Sequence, residues 1–245
     1  MASGIVTAMV SEARILAKGP IVPGELIFLP EGAMLLLSGI GANRARVAAQ
    51  ALIEKGATAL VSWGSAGGLM PALSPGRLIL PERVLAEDQS LYPVDPFWHE
   101  RLYNRLKGYV DPHRGDLAQS TVVLASRSEK AALLLRTGAV AVDMESASIA
   151  QVAKEAGIPF MAIRAITDGA EMDIPHGALD SIDEFGRVRL IGLFSFMARH
   201  PVELLALVRM GRNFRAAETT LSKVALRAGS YLLCPHGQDD GHRRE

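Results

Sequence analysis

Cysteine and long apolar runs are scarce in this 245-residue chain, and its formal net charge is zero. A single cysteine, Cys234, excludes an internal disulfide and any CxxC metal or redox motif. Because 26 basic residues balance 26 acidic ones, the overall charge does not indicate a nucleic-acid partner. No run approaches the roughly 20 apolar residues that span a bilayer, and the first residues, MASGIVTAMVSEA, lack the basic segment of a signal peptide. These absences predict a cytoplasmic protein.

The sequence also contains no recognisable metal-binding motif. The six histidines lack the spacing that zinc or other metal sites require, so we expect no bound metal; they are His99, His113, His176, His200, His236 and His242. The chain is rich in apolar residues: 49% of its residues are hydrophobic and 21% are charged. This balance is typical of a globular protein with a sizeable core.

Two carboxylates follow two predicted strands in the central part of the chain. Ala139–Val142 reads as a buried strand, Ser146–Ala156 as an amphipathic helix and Phe160–Ile166 as a second buried strand. A strand, a helix and a strand in this order predict a right-handed crossover in a parallel sheet. Ligands bind at the carboxyl ends of such strands, where Glu145 and Asp168 stand. We expect a site there, although an N-cap and a turn residue are the structural alternatives.

Two further segments have the same form, a short strand followed by polar or glycine-rich residues. Gly4–Met9 is followed by Glu12, which could be a site residue or only a first-turn residue on the helix dipole. The Ser38–Asn43 turn opens a predicted helix over Arg44–Lys55 and resembles a dinucleotide fingerprint. Arg44 takes the place of the third glycine, so a tight turn without a ligand is the alternative.

The remaining strands complete an α/β pattern. A strand over Thr58–Trp63 precedes Gly64–Gly68, whose glycines allow backbone N–H groups to face a ligand oxygen. Val122–Ala125 is predicted as another strand and Ser128–Arg136 as another helix. About six strands interleaved with helices indicate an α/β sandwich around one twisted sheet.

The C-terminal part has a different composition. Residues 186–215 contain six arginines against one acidic residue, interleaved with leucine, phenylalanine and valine, and predict two short helices separated at His200–Pro201. The apolar residues could complete the core or a subunit interface. Alternatively, they form a surface for lipid headgroups or a greasy substituent, which implies peripheral membrane contact on the inner face. We divide the chain into a catalytic domain (1–185), a helical extension (186–237) and a disordered tail (238–245).

Five motifs carry a resemblance to a known family. In the order and spacing of this chain they are GIVTAMVSE, LSGIG, WGSAGGL, VDMESA and RAITDG, within residues 4–170. They resemble the nucleoside phosphorylase superfamily and, within it, the methylthioadenosine/S-adenosylhomocysteine nucleosidases. The resemblance implies a three-layer α/β/α sandwich around a twisted mixed central sheet, no cofactor and a homo-oligomer. The arginine-rich tail and the ASRSEKAALL stretch are similar to the hopanoid-associated branch, whose members act on adenosylhopane.

The resemblance also implies a role for each carboxylate. Cleavage of an N-glycosidic bond passes through an oxocarbenium-like ribosyl cation and expels a purine, which leaves readily only when it is protonated. Asp168 would protonate N7, supported by the hydroxyl of Thr167 where the family usually has serine, and desolvation under the base would keep Asp168 protonated. Glu145 and the backbone of Met144 would hold the ribose hydroxyls, with the carboxylate stabilising the cation.

Glu12 would be the base that deprotonates the attacking water. Ser65 and Arg164 would assist it, and Ala8, Met9 and Gly67 complete the predicted substrate-binding residues. The phosphorylases of the superfamily hold phosphate with arginines at the positions of Glu12 and Ser62. A glutamate repels a phosphate dianion but suits the activation of neutral water, which favours hydrolysis.

Some alternatives remain open. Phosphorolysis, with inorganic phosphate as co-substrate, would need cations from elsewhere, such as Arg14 or Arg44. A non-catalytic nucleoside- or lipid-binding protein has little need for three carboxylates around one neutral ligand. The nucleosidases usually place an aromatic side chain over the adenine, where this chain has Ser126–Arg127–Ser128. Adenine specificity therefore comes from the resemblance, and the expected reaction is adenosylhopane to ribosylhopane plus adenine, in hopanoid biosynthesis.

Overall fold

A computed structural model describes the fold over residues 2–175, 182–187 and 203–234. The strands within these ranges are β1 (Ala2–Thr7), β2 (Leu26–Phe28), β3 (Met34–Leu37), β4 (Ala57–Gly68), β5 (Leu78–Ile79), β6 (Arg83–Leu85), β7 (Leu91–Pro93), β8 (Asp116–Gln119), β9 (Ala141–Asp143) and β10 (Phe160–Asp168). The α-helices are α1 (Val10–Leu16), α2 (Ala42–Glu54), α3 (Pro96–Leu106), α4 (Arg127–Thr137), α5 (Ser146–Glu155) and α6 (Leu204–Ala228). Short 3₁₀ turns occupy Pro30–Gly32 and Gly229–Leu232.

All the strands belong to one mixed sheet centred on β4. Strand β4 runs parallel to β1 and β10, and β1 runs parallel to β3. On the other side, β9, β8 and β6 run parallel to one another, but β9 is antiparallel to the end of β4. Helix α2 packs against α5, β1 and β4, while α6 packs against β10, α1 and α3. This flanked mixed sheet confirms the predicted fold class.

Two details of the predicted sheet are wrong. Strand β9 and strand β10 are not neighbours, because β4 lies between them and runs antiparallel to β9 and parallel to β10. The predicted parallel crossover therefore does not exist. Residues Val122–Ala125 are not a strand either, and β8 ends at Gln119. Val122 and Val123 are 62% and 42% exposed, so the first half of this apolar run lies at the surface and not inside the sheet.

Local sequence explains where α4 and α5 begin and end. Ser126 caps α4 through a capping box: its side chain accepts a hydrogen bond from the Glu129 N–H, and Glu129 accepts one from the Ser126 N–H. Gly138 ends α4 in the left-handed region at φ 70°, and Gly157 follows α5 at φ 66°. The predicted helices over 44–55, 128–136 and 146–156 are confirmed within one or two residues.

The C-terminal helix α6 is part of the core along its second half. Its buried residues Ala217, Leu221, Val224 and Ala228 belong to the same hydrophobic cluster as β10. Its first turns differ, because Leu204, Leu205 and Val208 are exposed. The predicted helix break at His200–Pro201 and the predicted tail 238–245 lie outside the described residues. Within the described ranges, no helix combines the length and the apolar character needed to cross a bilayer.

Candidate active site

A cavity of about 220 Å³ lies where the ends of β1, β9 and β10 meet the last residues of β4. Every residue that the sequence analysis proposed for catalysis or substrate binding lines it. These are Ala8, Met9, Glu12, Ser65, Gly67, Met144, Glu145, Arg164, Thr167 and Asp168. Their convergence is a finding of the structure, and their individual roles stay predictions.

The reversal of strand direction at β4 explains how the two strand ends meet. Gly67 on β4 pairs with Asp168 at the end of the parallel strand β10. The same residue pairs with Val142 on the antiparallel strand β9, one residue before that strand ends at Asp143. Because β9 runs antiparallel to β4, the residues that follow Asp143 lead toward Ser65 of β4. Glu145 and Asp168 thus share a cavity, although the parallel pairing predicted for their strands is wrong.

Glu12 stands in the first turn of α1 with its carboxylate held on both oxygens. Oε2 accepts hydrogen bonds from the Thr7 hydroxyl at 2.9 Å and from the Met9 N–H at 3.1 Å. Oε1 accepts hydrogen bonds from the Ser65 N–H and the Ser65 hydroxyl, both at 2.8 Å. Glu12 is buried, so four donors replace the water that would solvate its charge. The first-turn position is thus combined with a place in the cavity wall.

Arg164 has a different main partner from the one expected. Its Nε donates to Asp143 Oδ2 at 2.7 Å, and its Nη2 donates to the hydroxyls of Ser62 at 2.6 Å and Ser146 at 3.0 Å. Asp143 also forms a short hydrogen bond with the Ser146 hydroxyl. Burial disfavours the guanidinium charge, but Asp143, followed by two further carboxylates, outweighs it and raises the pKa of Arg164.

Arg164 and Glu12 nevertheless approach each other over Gly64. A Cβ atom on Gly64 would lie 2.7 Å from Glu12 Oε1 and 2.8 Å from Arg164 Nη1. Glycine suits this position of β4, because both side chains occupy the space that a Cβ would fill. Arg164 contributes positive charge near Glu12 while its hydrogen bonds go to Asp143 and two serines.

Glu145 is at the N-cap position of α5, but its side chain makes no capping hydrogen bond. Asp143 accepts the bond from the Ser146 N–H instead. Glu145 Oε1 accepts a hydrogen bond from the Gly41 N–H at 2.8 Å, so the glycine-rich turn before α2 helps to position Glu145. Burial, and then the charge of Asp143, raises the pKa of Glu145 from 4.5 to about 7.

Asp168 has a cationic partner that the sequence analysis did not include. Lys130 Nζ lies 2.6 Å from Asp168 Oδ2, and Lys130 is almost wholly buried at 1% exposure. The Thr167 hydroxyl donates to Asp168 Oδ1 at 2.9 Å, as expected of a supporting hydroxyl. One feature of the sequence could have indicated that Lys130 is buried. Lys130 lies on the same side of α4 as Leu133 and Leu134, at i, i+3 and i+4 spacing, and such a side of a helix usually packs against the core.

One part of the cavity is lined by residues outside the sheet. Phe214 of α6 and Ile174 line the cavity together with Val122, Val123 and Leu124. Phe214 supplies an aromatic ring that the loop at 126–128 lacks. Arg127 is not among the lining residues, because it is exposed and pairs with Asp173 at 3.5 Å.

The strand ends of an α/β sheet are the usual place for an active site, and here they enclose a cavity lined by carboxylates. The sequence profile described as Phosphorylase superfamily matches residues 29–190, which is more than half of the chain. The chain belongs to the phosphorylase superfamily, as the five motifs predict.

Named relatives agree with this membership. The 5′-methylthioadenosine/S-adenosylhomocysteine nucleosidase of Buchnera aphidicola subsp. Acyrthosiphon pisum (strain APS) is 30% identical over 176 residues, which cover 64% of this chain and 75% of the relative. The fold is similar to that of the Helicobacter pylori enzyme of the same name, solved with butyl-thio-DADMe-Immucillin-A (TM-score 0.69, 17% identity, 94% and 97% of the two chains covered). The Neisseria meningitidis enzyme, solved with methylthio-immucillin-A, gives a TM-score of 0.68 at 20% identity, with 92% and 97% covered.

Proposed function

We propose that this protein is a nucleosidase that hydrolyses the N-glycosidic bond of a 5′-substituted adenosine. Membership of the phosphorylase superfamily makes cleavage of this bond the reaction type, and the relatives named above are nucleosidases. The observation that carries the proposal is the placement of Glu12, Glu145 and Asp168 around one cavity. These three carboxylates match the three needs of the reaction: a base for water, a partner for the ribose and an acid for the purine.

Glu12 is suited to activate water. Of its four donors, the hydroxyls of Thr7 and Ser65 can rotate their hydrogens away without moving the backbone, and Ser65 is the one of these two that lines the cavity. A water molecule next to Ser65 would then donate to Glu12 Oε1 and accept from that hydroxyl. Glu12 takes the proton as the water oxygen attacks C1′.

Glu145 and Asp168 act on the two parts of the breaking bond. Glu145 accepts hydrogen bonds from the ribose hydroxyls, and its negative charge stabilises the ribosyl cation as it forms. Asp168 protonates N7, so the purine leaves as a neutral molecule. Phe214 provides the apolar contact for the base, in place of the missing aromatic residue in the 126–128 loop.

The cations of the cavity favour water over phosphate as the nucleophile. Among the described lining residues, the cations are Arg164 and Lys130, each paired with an aspartate within 2.7 Å. Ser62, at the position of a phosphate-binding arginine in the phosphorylases, is wholly buried in the Arg164 network. Arg14 is exposed and Arg44 pairs with Glu184. A phosphate dianion would therefore face three carboxylates with little free positive charge.

The proposed particular substrate is adenosylhopane, which would give ribosylhopane and adenine. The ASRSEKAALL stretch and the arginine-rich C-terminal part support this choice through their similarity to the hopanoid-associated branch. The exposed residues Leu204, Leu205 and Val208 at the start of α6, next to Arg209, suit contact with a lipid-like substituent or a membrane surface.

Adenine release with and without phosphate tests the proposed reaction. We would incubate the protein with 5′-methylthioadenosine and with adenosylhopane in detergent micelles, and identify the sugar product. Phosphate-independent release with a free sugar is the expected result, and Glu12→Gln should lower the rate by about 100-fold or more. Strict phosphate dependence with a ribose 1-phosphate product would make the protein a phosphorylase, and unchanged adenine release by Glu12→Gln would overturn the role of Glu12 as the base.

A further inference from the structure

The ammonium of Lys130 is enclosed by oxygen atoms. Besides Asp168 Oδ2 at 2.6 Å, Nζ donates to the carbonyl oxygens of Met172 at 2.9 Å and Gly169 at 3.0 Å. An ammonium has three N–H groups, so all of them are used. The two carbonyls belong to the loop directly after Asp168. Lys130 therefore holds both the carboxylate and the backbone that follows it.

Stability alone does not account for this pair. A buried ion pair is often no more stabilising than apolar residues of the same volume, because both charges lose their hydration. The pair lies in the cavity wall, since both Lys130 and Asp168 line it. In the described part of the chain, the other side chain that hydrogen-bonds Asp168 is Thr167, whose hydroxyl is a far weaker acid than an ammonium.

An ionised aspartate beside an ammonium cannot by itself protonate a purine. The reaction needs a proton on the oxygen that faces N7, and a group in contact with this carboxylate is the Lys130 ammonium. The expectation that desolvation alone keeps Asp168 protonated therefore leaves out a group in direct contact with it. The Lys130 N–H that faces Asp168 Oδ2 at 2.6 Å is a proton source in direct contact with that carboxylate.

We propose that Lys130 and Asp168 form one acid with a single transferable proton, in which Lys130 is the positioning residue that acts through Asp168. This inference rests on the proposed function. In the first transfer the Nζ–H bond breaks and an O–H bond forms on Asp168, which leaves Lys130 as a neutral amine. In the second, that O–H bond breaks and N7–H forms while the electron pair of the C1′–N9 bond moves to the purine.

Charge balances over the turnover. Lys130 ends as an amine and Asp168 as a carboxylate, while Glu12 holds the proton that it took from water. Loss of this proton from Glu12 and uptake of one by Lys130 from solvent restore the starting state. No group outside the cavity and the solvent is needed.

Two substrates with the same sugar separate this role from a structural one. A 5′-methylthioadenosine needs protonation of its leaving group, whereas the matching 4-nitrophenyl riboside releases a stable nitrophenolate without it. Lys130→Arg keeps the charge and the donors but cannot release a proton in the working range. We expect this variant to lower adenine release by about 100-fold or more, with little change for the nitrophenyl substrate. Asp168→Asn should give the same selectivity, and the double variant should lose no more than either single one.

Lys130→Met covers the case in which arginine does not fit the buried site, and Lys154→Met on the exposed side of α5 is the control. Folding is checked by urea denaturation for every variant. Full adenine release by Lys130→Arg or Lys130→Met, or an equal loss on both substrates, would overturn the inference. Failure of the proposed function would give a different result from failure of this inference. In that case the wild-type protein itself would release no adenine in the absence of phosphate.

Discussion

Arg164 Nη2 lies 2.7 Å from Asp143 Oδ2, and the two side chains are only 3% and 1% exposed. The same distance separates Arg83 and Asp116, but there the arginine side chain is 55% exposed. The two pairs therefore have similar geometry in very different surroundings. Water solvates the second pair in part, whereas the first pair depends on its own partners and on two serine hydroxyls.

This contrast predicts two different costs for the same substitution. Asp143→Asn leaves the buried guanidinium without its main counter-ion, so we expect the free energy of unfolding to fall by about 3–5 kcal/mol. Asp116→Asn should change it by at most about 1 kcal/mol, since exposed pairs contribute little. Urea denaturation of both variants measures the difference. Equal losses would mean that Asp143 is not the principal partner of Arg164.

Gly64 gives a prediction about the space between Glu12 and Arg164. Gly64→Ala places a methyl group within 3 Å of both side chains, so one of them must move. Because small displacements of catalytic groups are costly, we expect the rate of adenine release to fall by about 100-fold. The matched control is Gly211→Ala in α6, where a Cβ would meet no atom within 4 Å. Unchanged activity in Gly64→Ala would contradict the proposed role of this pair.

Glu145 makes stability depend on pH in a definite direction. Its pKa is about 7 in the folded chain, above the ordinary value of 4.5, so the folded state binds the proton more tightly than the unfolded state. This contribution to stability is fully present below about pH 4.5 and is lost as the pH rises through about 7. Relative to Glu145→Gln, the wild-type protein should therefore become less stable between about pH 5 and pH 8.

Urea denaturation at several pH values tests this prediction. Glu54→Gln, on the exposed side of α2, controls for the loss of a glutamate elsewhere. If the stability difference between wild type and Glu145→Gln does not vary with pH, Glu145 does not bind a proton in this range. The same ionisation should increase kcat/KM as the pH rises through about 7, because the ribose hydroxyls are held by the charged carboxylate.

Phe214 is predicted to contact the base. Phe214→Ala should raise KM for 5′-methylthioadenosine by about tenfold, since contact with an aromatic ring contributes roughly 1–3 kcal/mol per base. The value of kcat should change less, because the contact is present before and during bond cleavage. Phe28→Ala, at a strongly exposed position on β2, is the control. An unchanged KM would mean that the base lies elsewhere in the cavity.

The position of the cavity could be predicted because the ends of strands can be recognised in the sequence. Apolar runs that stop at Glu12, Glu145 and Asp168 identify the carboxyl ends of strands, and ligands bind at such ends in α/β proteins. Chain order does not reveal strand direction at the centre of the sheet. The antiparallel contact between β4 and β9 depends on two residue pairs far apart in the sequence.

Side-chain partners were harder to predict than positions. Asp143 and Arg164 are 21 residues apart and follow no local pattern, so the sequence could suggest Glu12 as the partner of Arg164 equally well. Lys130 lies 38 residues before Asp168 and becomes its neighbour only through the packing of α4. The Val122–Ala125 run was mistaken for a strand because a short apolar segment is compatible with either a strand or a cavity wall.

Two different sets of residues line the cavity, and the difference between them affects how such a protein can evolve. The groups proposed to break the bond are on α1, α4, β4 and β10 and at the N-cap of α5. Val122, Val123, Ile174 and Phe214 come from segments outside the sheet. Mutation in those segments can alter which nucleoside is accepted while the reaction itself is preserved. New substrate preferences can therefore evolve in this scaffold without rebuilding its chemistry.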